Sequence, residues 1–179
     1  MRQIISDICT LMQHLSELSN NAEKYRPNSC CYCGHLKLRR HGCYPRKADR
    51  ENTVEDSLNP IMIPRFYCPT CKRTCSVLPE CIPPRRWYLW RIQQACLLLI
   101  FGGKSLRQVA KQTLPSRWSI SRWINRLKEQ FELHSFKLKS CFSELGYYNL
   151  FERFWKNCLD KLSLAKAMLA LNNLGVTIP

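Results

Sequence analysis

Two Cys-x-x-Cys turns constrain this chain more than any other feature. The first is Cys30-Cys31-Tyr32-Cys33, followed by Gly34; the second is Cys68-Pro69-Thr70-Cys71, and 34 residues lie between the pairs. Two residues between cysteines let a tight turn aim both sulfurs at one point, and two such turns complete the tetrahedron of a closed structural Zn²⁺ site. Gly34 stands where the first turn needs a residue tolerant of positive φ. Strand-like runs, Leu36 to His41, Ile63 to Tyr67 and Thr74 to Leu78, flank the turns. The pattern predicts a zinc ribbon over residues 28–82, with Cys30, Cys33, Cys68 and Cys71 on one structural Zn²⁺. Using Cys31 in place of Cys30 would leave a single residue before Cys33 and strain the turn. Few large apolar residues fall in this stretch, so the roughly 10–16 kcal/mol of a structural zinc is expected to carry its folding. His41, Cys43, Cys75 and Cys81 are close enough in sequence to raise a second metal site. Their spacing fits no strong template, and small buried side chains, with His41 at the surface, are the simpler expectation.

Twelve cysteines in 179 residues would suit a secreted disulfide scaffold, but the N-terminus argues otherwise. Asp7 and Glu17 interrupt its apolar stretch, which therefore lacks the h-region of a signal peptide. The longest apolar run, Ala95 to Phe101, has seven residues, far short of a membrane span. The expectation is a soluble chain without a membrane partner, cytoplasmic and nucleoid-associated, with its thiols free or on metal. The net charge of +15 is unevenly spread: residues 1–25 hold two bases against three acids, residues 26–134 twenty against seven, and residues 135–179 six against three. Such a concentration predicts a polyanion partner, most simply the phosphate backbone of double-stranded DNA, with RNA as the alternative.

In chain order, residues 1–25 read as an amphipathic helix, since Ile4, Ile8, Leu11, Leu15 and Leu18 recur at three and four residues. It is expected to dock on the chain's own later helices or to self-associate. Within the ribbon, residues 43–60 read as an insertion whose first half is basic; Arg39, Arg40, Arg46 and Lys47 are candidates for backbone contacts along DNA. Pro79, Pro83 and Pro84 mark the boundary to a helical domain over 84–134. A helix is predicted from about Arg86 to Phe101, its aromatic residues in the core. Ser105 and Gln108 then spell a capping box for a short helix to Gln112, with Leu106, Val109 and Ala110 inward.

After Leu114-Pro115, Ser116 caps a predicted helix over Arg117 to about Gln130. Ile120, Trp123, Ile124 and Leu127 fall on one face at i, i+3, i+4, i+7, and Arg117, Trp118, Ser121, Arg122, Asn125 and Lys128 fall away from it. Two short helices, a tight turn and a basic outer face on the second make a helix-turn-helix pattern. Arg117, Trp118, Ser121 and Arg122 would then meet bases, and Asn125, Arg126 and Lys128 phosphates. Residues 135–179 read as a C-terminal helical hairpin, Asn149 to Lys161 and Ser163 to Leu174, carrying no chemistry and open to a protein partner. Cys9, Cys96, Cys141 and Cys158 read as core thiols. The fold class is thus mainly α with a small β zinc ribbon: N-terminal helix, zinc ribbon, helix-turn-helix bundle, C-terminal helical hairpin.

These parts in this order resemble a known module. The residues are Cys30 to Gly34, His41-Gly42, Pro64 to Ser76 and Ser105 to Leu127, and they look like the zinc-ribbon plus helix-turn-helix start of bacterial insertion-sequence transposases and their stand-alone relatives. By that resemblance the four cysteines hold zinc and the Arg117 to Asn125 face binds the element's DNA ends. The Cys75 position is usually aromatic in the family, which implies a core residue and not a ligand. A transposase of this kind also carries an RNase H-like nuclease with three carboxylates. Here only Glu129, Glu132, Glu144, Glu152 and Asp160 follow, in a helical stretch without a strand pattern to pair carboxylates. The expected function is therefore a non-catalytic, zinc-dependent DNA-binding protein of mobile-element origin, an accessory or regulatory protein or a transposase DNA-binding fragment. A zinc-stabilised adaptor for protein partners is the alternative, and a DNA-processing subunit whose active site lies on a partner is the third reading.

Overall fold

The computed structural model describes residues 4–48, 58–84, 88–176 and 178. It is mainly α with a small β part and divides into two compact units, residues 1–89 and 90–179. The acidic half of the insertion, Glu51 to Asp56, lies outside the described residues, as do Arg86 and Trp87 at the expected start of a helix.

The first unit is built on a three-stranded antiparallel sheet, β2 (Arg39–Arg46), β3 (Ile61–Tyr67) and β4 (Thr74–Cys75), in the order β2-β3-β4. Alternation along β3 turns Ile61 and Ile63 inward and Met62 outward. Strand β2 runs further than the sequence predicts, to Arg46, because Tyr44, Pro45 and Arg46 continue the register opposite Ile63, Met62 and Ile61. Its register shifts between Arg40 and Cys43, where Gly42 takes φ 72°, the left-handed geometry a bulge asks of glycine. Pro45 is tolerated because β2 is an edge strand.

The N-terminal segment departs from its expected form. Residues 4–10 are not helical: β1 (Ile4–Ile5) pairs in parallel with β5 (Leu78–Pro79), Asp7 turns at φ 75°, and helix α1 spans only Leu11–Asn20. The cause is a local competitor to the apolar stripe. The Thr10 hydroxyl accepts from the Gln13 N–H at 3.1 Å while Gln13 Oε1 accepts from the Thr10 N–H, a capping box that starts the helix after Thr10. Helix α1 packs on the sheet of its own unit. Leu11 joins Ile61, Ile63, Leu78, Ile82 and Leu89 in one apolar cluster. Buried His14 fixes the docking, since Nε2 donates to the Met62 carbonyl at 3.0 Å and Nδ1 then accepts from the Tyr25 hydroxyl at 2.5 Å.

The second unit is helical: α2 (Trp90–Phe101), α3 (Leu106–Gln112), α4 (Arg117–Glu129), α5 (Phe131–Cys141), α6 (Phe151–Lys161) and α7 (Leu164–Asn173). Ser105, Ser116 and Ser163 cap α3, α4 and α7, the first with Gln108 in a reciprocal capping box. Helix α2 is the hub, packing against α3, α4, α6 and α7. Gln94 on α2 accepts from the Leu164 N–H at 2.7 Å, satisfying one of the orphan donors at the start of α7. Phe154, Trp155, Cys158 and Leu159 of α6 and Leu164, Ala167, Met168 and Leu171 of α7 are buried, the stripes the sequence marks. Gly175, at φ 77°, follows the end of α7. Of the four thiols expected in the core, Cys96 and Cys158 are buried, whereas Cys9 and Cys141 are exposed. Helix α5 crosses the expected boundary at residue 134. It inverts the usual pattern, burying His134 and Ser135 and exposing Leu133 and Phe136.

His134 gives this unit an acid-sensitive point. Its ring is fully buried edge-on to Trp155, centroids 6.0 Å apart, and neither nitrogen has a hydrogen-bond partner among the described residues. Burial pushes its pKa from 6.5 down to about 4. The folded state thus resists the proton that the unfolded state accepts, so the penalty is absent above pH 6.5 and grows as pH falls toward 4. The gap corresponds to about 3 kcal/mol. Urea unfolding followed by the helical signal is expected to show a loss of about this size between pH 7 and pH 4, and His134→Leu to flatten it. Undiminished acid sensitivity in the variant would assign the effect to another group.

Candidate functional site

The two cysteine turns are built alike. In the first, the Cys30 N–H donates to the His35 carbonyl at 2.7 Å and the Cys30 carbonyl accepts from the Gly34 N–H at 2.9 Å. In the second, the Cys68 N–H donates to the Arg73 carbonyl and the Cys68 carbonyl accepts from the Lys72 N–H, both at 2.9 Å. Each turn needs a left-handed residue after its second cysteine, supplied by Gly34 at φ 76° and by Lys72 at φ 58°. A β-carbon at Gly34 would meet nothing within 4 Å, so the constraint there is on the backbone and not on space.

The turns bring Cys30, Cys33, Cys68 and Cys71 together, all four sulfurs within 4.8 Å of one another. Cys30 and Cys71 stand 3.5 Å apart, Cys33 and Cys68 3.6 Å. A tetrahedral metal with bonds of about 2.3 Å sets its sulfurs about 3.8 Å apart, so the quartet could hold a metal ion and is compatible with one structural zinc site. Desolvation works against ionising Cys30 and Cys68. The backbone N–H groups of Tyr32 and Cys33 at one sulfur, and of Cys71 and Thr70 at the other, nonetheless hold both thiols below the ordinary range, Cys30 at about 6. Each turn thereby offers one sulfur readily as the anion a metal needs. Among the described residues no other group of His, Cys, Asp and Glu gathers in this way. His41 is exposed beside Tyr67, its ring 5.6 Å away, and Cys43 is half-buried in β2.

The basic candidates divide into free and tethered residues. On the first unit Arg39 and Arg40 are exposed on β2, and Lys47 is exposed just beyond it. Arg46 is different: half-buried, with a guanidinium N–H on the Pro83 carbonyl at 2.5 Å, it is a structural residue more than a surface cation. A basic aromatic stack that the sequence reading does not single out lies on the cysteine turns, where the Arg73 guanidinium sits 4.9 Å over the ring of Tyr32, itself 55% exposed.

On the second unit the outer side of α4 is basic. Ile120, Trp123, Ile124 and Leu127 are buried, together with Ser119, and leave Arg117, Trp118, Arg122, Asn125, Arg126 and Lys128 exposed, with Ser121 half-buried between them. Trp118 is 67% exposed with the Arg117 guanidinium 5.0 Å over its ring. Arg126 falls at one edge of this face, while Ser121 and Lys128 fall at the other, where Lys128 covers Phe151 at 5.5 Å. Ser121, Asn125 and Lys128 also line a groove of about 250 Å³ shared with Lys104 and Glu152. None of the basic residues of α4 makes an ion pair among the described residues. No helix there is long and apolar enough to cross a membrane. Comparisons with family models, with curated proteins and with solved structures find no match to this chain.

Two outcomes test the cysteine centre. One equivalent of zinc per chain is expected to bind, and chelation to release hydrogen-exchange protection in β2 to β4 while the helices of residues 90–179 keep theirs. Cys33→Ser is expected to weaken uptake against a competing chelator. At Lys72, the left-handed backbone costs about 1 kcal/mol that glycine avoids. Lys72→Gly should therefore match or exceed the parent in stability, whereas Lys72→Val should lose about 1–2 kcal/mol, as thermal melts would report.

Proposed function

We propose that this chain is a non-catalytic DNA-binding protein of mobile-element origin, in which a zinc ribbon over residues 28–82 and a helix-turn-helix formed by α3 and α4 act together. It serves in this reading as an accessory or regulatory protein or as the DNA-binding part of a transposase. The observation that carries the proposal is the outer face of α4: exposed arginines, an asparagine and a tryptophan, without carboxylates paired to them, on a helix anchored by its opposite face. Unpaired cations of one sign on a rigid element cost self-repulsion that a polyanion removes. A helix of this kind fits the major groove with its N-terminal side chains leading, so Arg117, Trp118, Ser121 and Arg122 are assigned to bases and Asn125, Arg126 and Lys128 to phosphates. Arg39, Arg40 and Lys47 are assigned to backbone contacts from the ribbon. The metal is assigned as zinc because four thiols at tetrahedral spacing suit it, and its role is to hold the two turns together.

The test is selection of duplex DNA from a random pool by zinc-loaded protein at two salt concentrations. An enriched motif is expected, with affinity falling by about 0.9 log units per log salt for each phosphate contact. The double variant Arg117→Ala, Arg122→Ala is expected to lose about 1–3 kcal/mol of discrimination at each base it reads, with non-specific binding reduced far less. A uniform loss over all sequences would make these residues phosphate contacts and remove the recognition-helix assignment. Leu133, Phe136, Tyr147 and Leu150 are exposed, and this observation favours the adaptor as the second reading. Retention of DNA only at low salt, without a motif, would point to it.

A further inference from the structure

Beside the metal-ready quartet lies a second pair of sulfurs. Cys31 and Cys75 bring their Sγ atoms to 2.9 Å, closer than either of the 3.5 and 3.6 Å pairs within the quartet. The two residues come from opposed elements. Cys31 is inside the first cysteine turn, and Cys75 is in β4, held opposite Phe66 by the sheet. The Cys31 N–H donates to the Cys75 sulfur at 3.4 Å, which keeps that sulfur in front of Cys31 and not turned toward the turn's other face. Cys75 also stands 3.8 Å from Cys30, yet neither Cys31 nor Cys75 belongs to the four-sulfur group. Both line a cavity of about 440 Å³, together with Arg26, Ser29, Cys30 and Ser76. Cys31 is half-buried, so a small solute in that cavity can reach it.

We propose that Cys31 and Cys75 are a modification site outside the metal centre, a dithiol that closes to a disulfide when a hydroperoxide enters this cavity. A disulfide needs about 2.05 Å between sulfurs, so less than an ångström of closure is required, which side-chain rotation at the half-buried Cys31 supplies. The step balances with the oxidant alone. Two S–H bonds break and one S–S bond forms; the two electrons and two protons pass to the hydroperoxide, whose O–O bond breaks to give two waters from hydrogen peroxide. The product ties the first cysteine turn to β4 by a covalent bond that does not use the quartet. Oxidation at this site therefore leaves Cys30, Cys33, Cys68 and Cys71 available to metal.

The experiment treats the zinc-loaded full chain with graded hydrogen peroxide. Free thiols are alkylated at intervals, non-reduced peptides are mapped by mass, and released zinc is followed with a chromogenic chelator. A peptide joining Cys31 to Cys75 is expected to appear first, two alkylatable thiols being lost while zinc stays bound. Cys31→Ser replaces the less buried member of the pair and is expected to abolish that peptide and retain zinc. The wild-type peptide map does not depend on how the variant folds. First cross-links that involve any of the quartet, with zinc leaving in step, would overturn the proposal. So would Cys31 and Cys75 remaining alkylatable throughout, or a titration giving two metals per chain with both residues protected as ligands.

Discussion

The convergence of two cysteine turns on one point governs the first half of the molecule. Its main sheet has only three strands, and the third, β4, spans just Thr74–Cys75. Among its described residues the interior divides into two modest apolar clusters, one of which consists in large part of Cys30, Cys68 and Cys75 themselves with Ile8, Tyr25, Leu38 and Phe66 around them. A sheet of this size is marginal alone, so the sulfur centre and the N-terminal segment share the task of closing it. The segment contributes apolar burial through Ile8 and Leu11 and a directional tie through His14. The turns contribute four sulfurs already at ligand spacing, so a metal finds a site whose ordering cost is largely met by the backbone hydrogen bonds within each turn.

What could be read from residues alone was what local chemistry fixes. The Cys-x-x-Cys spacing implied a four-sulfur centre because two residues leave a turn little choice of direction. Ser105 and Ser116 marked the starts of α3 and α4 because their hydroxyls meet orphan amides. The stripe Ile120, Trp123, Ile124 and Leu127 marked the buried face of α4 because the helical period leaves no other packing. The N-terminal stripe misled for a physical reason: Ile4, Ile8 and Leu11 keep helical spacing, but β5 offers Ile4 and Ile5 a pairing that no local pattern announces. The Thr10 and Gln13 box was the available signal for the true start. Helix α5 escaped because its apolar Leu133 and Phe136 face solvent while His134 and Ser135 are buried beside Leu138, so polar and apolar residues are mixed on both faces and the stripe is blurred. The meeting of Cys31 with Cys75 depends on strand pairing of β3 with β4 and lies beyond spacing rules altogether.

Both units present exposed cations beside aromatic rings. On α4 the cations are numerous and unpaired, and the aromatic ring of Trp118 lies under one of them, an arrangement that keeps a guanidinium near an apolar surface without neutralising it. On the cysteine turns the same motif recurs with Arg73 over Tyr32. In both, the ring carries the apolar part of the contact and leaves the guanidinium's charge open to solvent.

The parallel pairing of β1 with β5 carries a consequence for how the chain is made. Residues 4 and 5 have their strand partner at residues 78 and 79, on the far side of the entire sheet in chain order. A ribosome delivers this segment well before its partner strand, so Ile4 and Ile5 have no strand to pair with until both cysteine turns have emerged. The two cysteine turns can close around a metal as soon as Cys71 is free, before β1 has a strand to pair with. The pairing of Ile4 and Ile5 therefore closes a loop of more than seventy residues, the kind of contact that forms late because its closure entropy must be met first.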